Sequence, residues 1–163
     1  MYLLDANTFI EAKNLYYTFG MAPGFWEWLT QAHANRLVAS IDAVFDELQK
    51  QKDELARWAK QLPSSFWVCD DYNTIPSLGL LAAWASSPQR AYREAARDEF
   101  LASADFRLVA IAHAGKHTVV TREVPSPDSK KRILLPDACA AHGVSVTQPF
   151  RIYEGLGLNL VQS

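Results

Sequence analysis

Short apolar runs that stop abruptly at polar side chains, with helix-like sequence between them, constrain this chain most. Tyr2-Leu3-Leu4 ends in Asp5-Ala6-Asn7-Thr8, Arg36-Leu37-Val38-Ala39 ends in Ser40, and Thr118-Val119-Val120-Thr121 ends in Arg122-Glu123. Runs this short without apolar/polar alternation suit strands buried on both faces, and such strands need crossover connections, usually helical. A parallel α/β sheet is therefore expected. At 163 residues, 49% of them hydrophobic, the chain can bury one core without disulfides or a structural metal, so residues 1–163 read as one domain.

Helix signals fill the gaps. Thr8 to Tyr17 has helical character, and Pro23 stands at the favoured first position of a helix carrying Phe25, Trp26, Trp28 and Leu29. Ser40 is placed to cap a helix from Ile41 to about Gln51, with Ile41, Val44, Phe45 and Leu48 as its apolar stripe. At about 100° per residue, Glu47 borders that stripe while Asp46 points nearly opposite. Residues 53–100 read as helices broken at Pro63-Ser64-Ser65, Ile75-Pro76 and Ser86-Ser87-Pro88, a helical cap and not a sheet region. Ser103 is expected to cap a helix with Asp105 in its first turn, apolar on nearly every side from Leu108 to Ala112. A loop from Val124 to Arg132 follows the third run. Pro136 then opens a helix that Gly143 closes, and Val144-Ser145-Val146 offers a last strand.

Other features narrow the class. Cys69 and Cys139 show no metal-ligand spacing and read as reduced thiols, no apolar run approaches the roughly twenty residues of a membrane span, and the amino terminus lacks a basic segment followed by a long apolar one. A cytoplasmic location is expected. The net charge of −2 gives no basic excess, which counts mildly against a nucleic-acid binder, although bound cations can restore positive potential at an acidic site. His33, His113, His117 and His142 have no ligand spacing and are expected to be structural.

In open parallel sheets ligands bind beyond the carboxyl ends of the strands, where Asp5 and Glu123 stand. Asp105 at a helix start and Glu47 on a helix border can face the same crevice, and clustered carboxylates call for protonation or a hard divalent cation. Each acid also has an ordinary role available: an Asx turn for Asp5, dipole stabilisation for Asp105 and Asp137, a solvated flank for Glu47, a loop acid for Glu123. Spacing alone gives an acidic crevice in an α/β domain.

The ordered motifs go further. Tyr2-Leu3-Leu4-Asp5-Ala6-Asn7-Thr8-Phe9-Ile10 resembles the opening of PIN domains. Ser40-Ile41-Asp42-Ala43-Val44-Phe45-Asp46-Glu47-Leu48 resembles the family's second acidic helix, Ala104-Asp105 its third motif, and Val119-Val120-Thr121-Arg122-Glu123 its fourth. The opening is most similar to an uncharacterised branch, related to VapC-type toxins, that carries Leu-Leu-Asp-x-Asn-x-Phe-Ile-Glu-Ala-Lys. The resemblance selects Glu47 over Asp42 and Asp46. It implies a three-layer α/β/α sandwich around a small, mostly parallel sheet, and an Mg²⁺- or Mn²⁺-dependent endoribonuclease with Asp5, Glu47, Asp105 and Glu123 as catalytic metal ligands. Asn7 and Thr121 would support those ligands, and Lys130, Lys131, Arg132 and Lys13 would contact RNA. A cognate antitoxin and a homodimer are implied as well. The chain departs from the pattern at Glu123, where Asp is commoner, and at Val124-Pro125, where an Asn or Asp companion usually follows.

Two rivals follow from the same residues. Leu4-Asp5-Ala6-Asn7-Thr8 also resembles the opening of haloacid-dehalogenase-type phosphatases, but Asn7 stands where that chemistry needs a second Asp as general acid. A catalytically silent module with a PIN fold is the rival from another class.

Overall fold

The computed structural model describes residues 1–161. Five strands, β1 (Tyr2–Leu4), β2 (Val38–Ile41), β3 (Trp67–Val68), β4 (Thr118–Val120) and β5 (Val146–Thr147), form one sheet in the order β3-β2-β1-β4-β5. Every pairing is parallel, with Leu3 opposite both Ala39 and Val119. Nine α-helices lie among the described residues: α1 (Ala6–Glu11), α2 (Pro23–Ala34), α3 (Asp42–Gln49), α4 (Glu54–Gln61), α5 (Ile75–Ala85), α6 (Glu94–Ala102), α7 (Ala104–Gly115), α8 (Leu135–Ala141) and α9 (Pro149–Gly155).

The strand order steps outward one way from β1 to β3, then returns past β1 and steps the other way through β4 to β5. Right-handed crossovers then place the first set of helices on one face and the second set on the other. The result is a three-layer α/β/α sandwich. Because β1 neighbours both β2 and β4, the direction of winding reverses between β1 and β4, and the strand ends at such a reversal are where open parallel sheets bind ligands.

Local sequence accounts for most of this. Leu3, Leu4, Val119 and Val120 are fully buried in the middle layer, which explains their unbroken apolar character. Leu108 to Ala112 are all buried, as the all-round apolar sequence of α7 requires. Helix α1 continues into a π-helical stretch, Ala12–Tyr16, so the single helix expected from Thr8 to Tyr17 starts two residues earlier and changes pitch.

Several sequence expectations are corrected, among them the last strand, expected at Val144-Ser145-Val146 and found at Val146–Thr147, where it pairs with Val119 and Val120. Residues 53–100 are not wholly helical, because Trp67–Val68 forms the edge strand β3 on β2. Ser40 does not cap α3; it lies inside β2, and its hydroxyl crosses to the Leu4 carbonyl at 2.6 Å, a sheet-internal bond that displaces the cap. Ser103 likewise spends its hydroxyl on the Phe100 carbonyl at 2.7 Å and gives α7 no side-chain cap.

Candidate functional site

The carboxyl end of β1 delivers Asp5 into the reversal between β1 and β4, where it is only 3% exposed. Its backbone N–H donates to the Val120 carbonyl at 3.2 Å, so the two strands remain paired up to the acid. Oδ1 accepts from the Thr8 backbone N–H at 2.7 Å and from the Thr8 hydroxyl at 2.6 Å, making Asp5 the N-cap of α1. Oδ2 accepts from the Thr121 hydroxyl at 2.6 Å. Burial pushes the Asp5 carboxyl up to about 6, against the three donors, which favour its charged form, and with a smaller upward push from Glu123.

Asp105 reaches the same end from the opposite layer. Helix α7 leads back to the start of β4, so its first turn lies over the carboxyl ends of the strands. The acid is half-buried, and its carboxyl is pushed up to about 7 by burial first, then by the charges of Glu123, Asp5 and Glu47, with Arg132 opposing. Four acids far apart in sequence thus share one electrostatic environment. Glu47 is half-buried on α3, which packs against α1 and α7, whereas Asp46 is exposed. Asp42 is drawn into a different cluster, with Arg107 bridging it at 3.1 Å and also contacting Asp70.

Glu123 is fixed from two sides. Oε1 accepts from Arg132 at 3.1 Å, and Oε2 accepts from the Leu135 backbone N–H at 2.8 Å, at the start of α8. Thr121 links it to Asp5, since its hydroxyl also accepts the Glu123 N–H at 3.1 Å. Asp137 instead accepts from the Ser126 N–H with both oxygens, at 3.2 and 3.0 Å, and closes the loop after β4.

Asn7 is exposed and gives Asp5 no donor; Thr121 holds Oδ2, and Oδ1 is held by Thr8. An N-cap box of Asp followed three residues later by a hydroxyl was the sequence signal for it. The basic residues are partly committed. Lys13 pairs with Asp53 at 2.6 Å, Arg132 with Glu123, and Lys130 lies 5.4 Å over the Tyr92 ring. Lys131 is exposed and has no ion-pair partner among the described residues. Three histidines have structural partners: His33 Nδ1 meets the Val38 carbonyl, His113 Nδ1 the Ser77 hydroxyl, and His142 Nδ1 the Ala138 carbonyl.

The donor set has the chemistry of a hard divalent cation site, being all carboxylate oxygen with more negative charge than Arg132 balances. Asp105 and Glu47 are not tied up by hydrogen bonds among the described residues. As they stand, however, no three Asp, Glu, His or Cys side chains among the described residues converge into one coordination sphere.

The chain matches the model of a family described as a domain of unknown function, DUF4411, over residues 2–160, and it belongs to that family. No curated protein and no solved structure matches it.

Proposed function

We propose that this DUF4411 chain is a divalent-metal-dependent endoribonuclease, with Asp5, Glu47 and Asp105 as cation ligands and Glu123 as an outer acid of the same site. The observation that carries the reading is the grouping of these four acids near the winding reversal, with the Asp105 carboxyl raised first by burial and then by the charges of the other three. Strongly displaced carboxyls in a crevice are more typical of chemistry than of packing. The motif order that resembles PIN domains gives the reading its substrate class, and resemblance to the VapC-type branch extends it to a toxin with a cognate antitoxin, homodimeric and cytoplasmic.

A bound Mg²⁺ or Mn²⁺ would polarise a phosphodiester and lower the pKa of attacking water. The chain's own groups have separate tasks. Thr8 and Thr121 orient the two oxygens of Asp5, and the Thr8 backbone N–H, at the start of α1, keeps its charge tolerable in a buried position. Arg132 and the start of α8 hold Glu123 back from free rotation, leaving Asp105 and Glu47 as the acids able to move toward a cation. The phosphatase alternative loses ground because Asn7, two residues after Asp5, carries no acidic proton for a leaving group.

The test is cleavage of a labelled RNA pool by purified protein with Mn²⁺ or Mg²⁺. Cleavage is expected for the wild type, and it should be lost with EDTA and in Asp105→Asn. Wild-type protein that neither cuts the pool nor gives heat on calorimetric titration with Mn²⁺ would falsify the nuclease reading. Growth arrest on expression that Asp5→Asn leaves unchanged would separate any toxicity from this site.

A further inference from the structure

Beside the acids lies a group of side chains that the hydrolytic reading does not use. Tyr16 ends the π-helical stretch after α1, Phe150 lies in the first turn of α9, and Arg122 follows Thr121 at the end of β4. Both residues keep about two-fifths of their surface in water, Tyr16 at 40% and Phe150 at 39%. They meet edge to face with centroids 5.0 Å apart, and the Arg122 guanidinium lies 5.3 Å from the Tyr16 ring and 5.9 Å from the Phe150 ring. Arg122 is held there by Glu11 Oε2 at 2.9 Å and by the Tyr16 hydroxyl at 2.6 Å. On its inner side Phe150 meets the buried Tyr153 edge to face, with centroids 5.8 Å apart.

We propose that Tyr16, Phe150 and Arg122 are the seat of an unpaired nucleobase of single-stranded RNA, one residue removed from the acidic crevice. The inference rests on the nuclease reading for its substrate class. Continuity with that site carries it: Thr8, whose hydroxyl holds Asp5, lines the same depression as Tyr16, Arg122 and Phe150, and Arg122 stands between Thr121 and Glu123. A strand whose phosphate lies over Asp5 would bring its neighbouring base onto these groups. The depression is too shallow to enclose a base. Past Tyr16, which the two hollows share, a cleft of about 490 Å³ runs on along Met21, Pro23 and Leu160 among the described residues, so a base seated over the depression has open space beside it.

Aromatic rings stack with every base, and a guanidinium adds attraction to both base and phosphate, so such a seat selects for unpaired strands with little sequence preference. Arg122 is also pre-oriented by two partners and loses little freedom on binding. A duplex keeps its bases inside the stack and cannot use the seat.

The experiment is equilibrium binding by fluorescence anisotropy, with Ca²⁺ present, of a labelled single-stranded RNA, the same strand in duplex, and the same strand carrying abasic positions. Wild-type protein should bind the single strand best, and the double substitution Tyr16→Leu with Phe150→Leu should weaken that binding about tenfold or more. Tyr16→Trp, which keeps an aromatic face, should restore most of it, and thermal melts should confirm that each variant is folded. The seat is overturned if the double variant binds the single strand as tightly as wild type. It is equally overturned if wild type binds duplex or abasic strand equally well, or binds no RNA. Cleavage assays separate the two readings: metal-dependent cleavage with unchanged binding removes the seat alone. Base-dependent binding by a protein that never cleaves keeps the seat and removes the nuclease.

Discussion

Replacing Asp105 by Asn tests the electrostatics of the crevice without requiring any substrate. In the folded chain this carboxyl ionises near 7, while in the unfolded chain it ionises at its ordinary 3.8. Between those values the folded state holds a proton that the unfolded state has released, so this group's contribution to stability falls as pH rises through that window and stays unfavourable above it. The displacement from 3.8 to about 7 corresponds to at most about 4 kcal/mol at pH 8, each unit being worth about 1.4 kcal/mol. Asp105 is only half-buried, so solvent screening takes about 1 kcal/mol off that upper figure. Asp105→Asn should therefore stabilise the protein by about 3 kcal/mol at pH 8, in EDTA, and by nearly nothing at pH 4. With a urea slope of about 2 kcal/mol/M, the unfolding midpoint should move up by about 1.5 M at pH 8, read from tryptophan fluorescence. Added Mn²⁺ should raise the midpoint of the wild type and not that of the variant. A variant no more stable than wild type at pH 8, or equally stabilised at both pH values, refutes the reasoning.

Thr121→Val keeps the shape of a buried side chain but removes the donor to Asp5 Oδ2 and the acceptor for the Glu123 N–H. It should raise the Asp5 pKa further and cost about 1–3 kcal/mol at pH 8, less at pH 4 where Asp5 is protonated, by urea unfolding at the two pH values. Lys131→Ala should weaken RNA binding and lower the salt slope by about one, whereas Lys13→Ala, whose partner is Asp53, should leave both nearly unchanged in filter-binding titrations. Leu108→Ala, in the fully buried middle of α7, should cost about 2–5 kcal/mol at any pH, a control showing that pH dependence belongs to the acids.

What the sequence made legible was what periodicity and composition encode. The apolar runs at β1, β2 and β4, the all-round apolar α7 and the helix openings at Pro23 and Pro136 each carry their signal locally, and their order is enough for a parallel sheet. Strand β3 carried none, because two residues, Trp67 and Val68, show no alternation and owe their state to pairing with Ser40 and Ile41. The hydroxyls were misread for a related reason. Ser103 stands at the cap of α7 and Ser40 one residue before that of α3, and only the approach of the Phe100 and Leu4 carbonyls decides that they donate elsewhere. At the candidate site, motif order named Asp5, Glu47, Asp105 and Glu123, and the fold sets the other three near enough to Asp105 for their charges to act on it. The choice of Thr8 over Asn7 as partner of Asp5, and the commitment of Arg132 and Lys13 to Glu123 and Asp53, depend on where side chains meet in space. The platform of Tyr16, Phe150 and Arg122 was not legible, since its members come from three distant segments.

The bond between Thr121 and Asp5 spans 116 positions of the chain, and the backbone contact from Asp5 to Val120 spans nearly as many. A ribosome releases the first of these acids long before the partner that orients it. Until β4 is made, β1 is paired with β2 alone, Asp5 lacks its second threonine, and the acids of α7 and β4 are not yet set beside it. A nascent chain is therefore without a completed site for most of its synthesis, and one truncated before Thr121 cannot complete it.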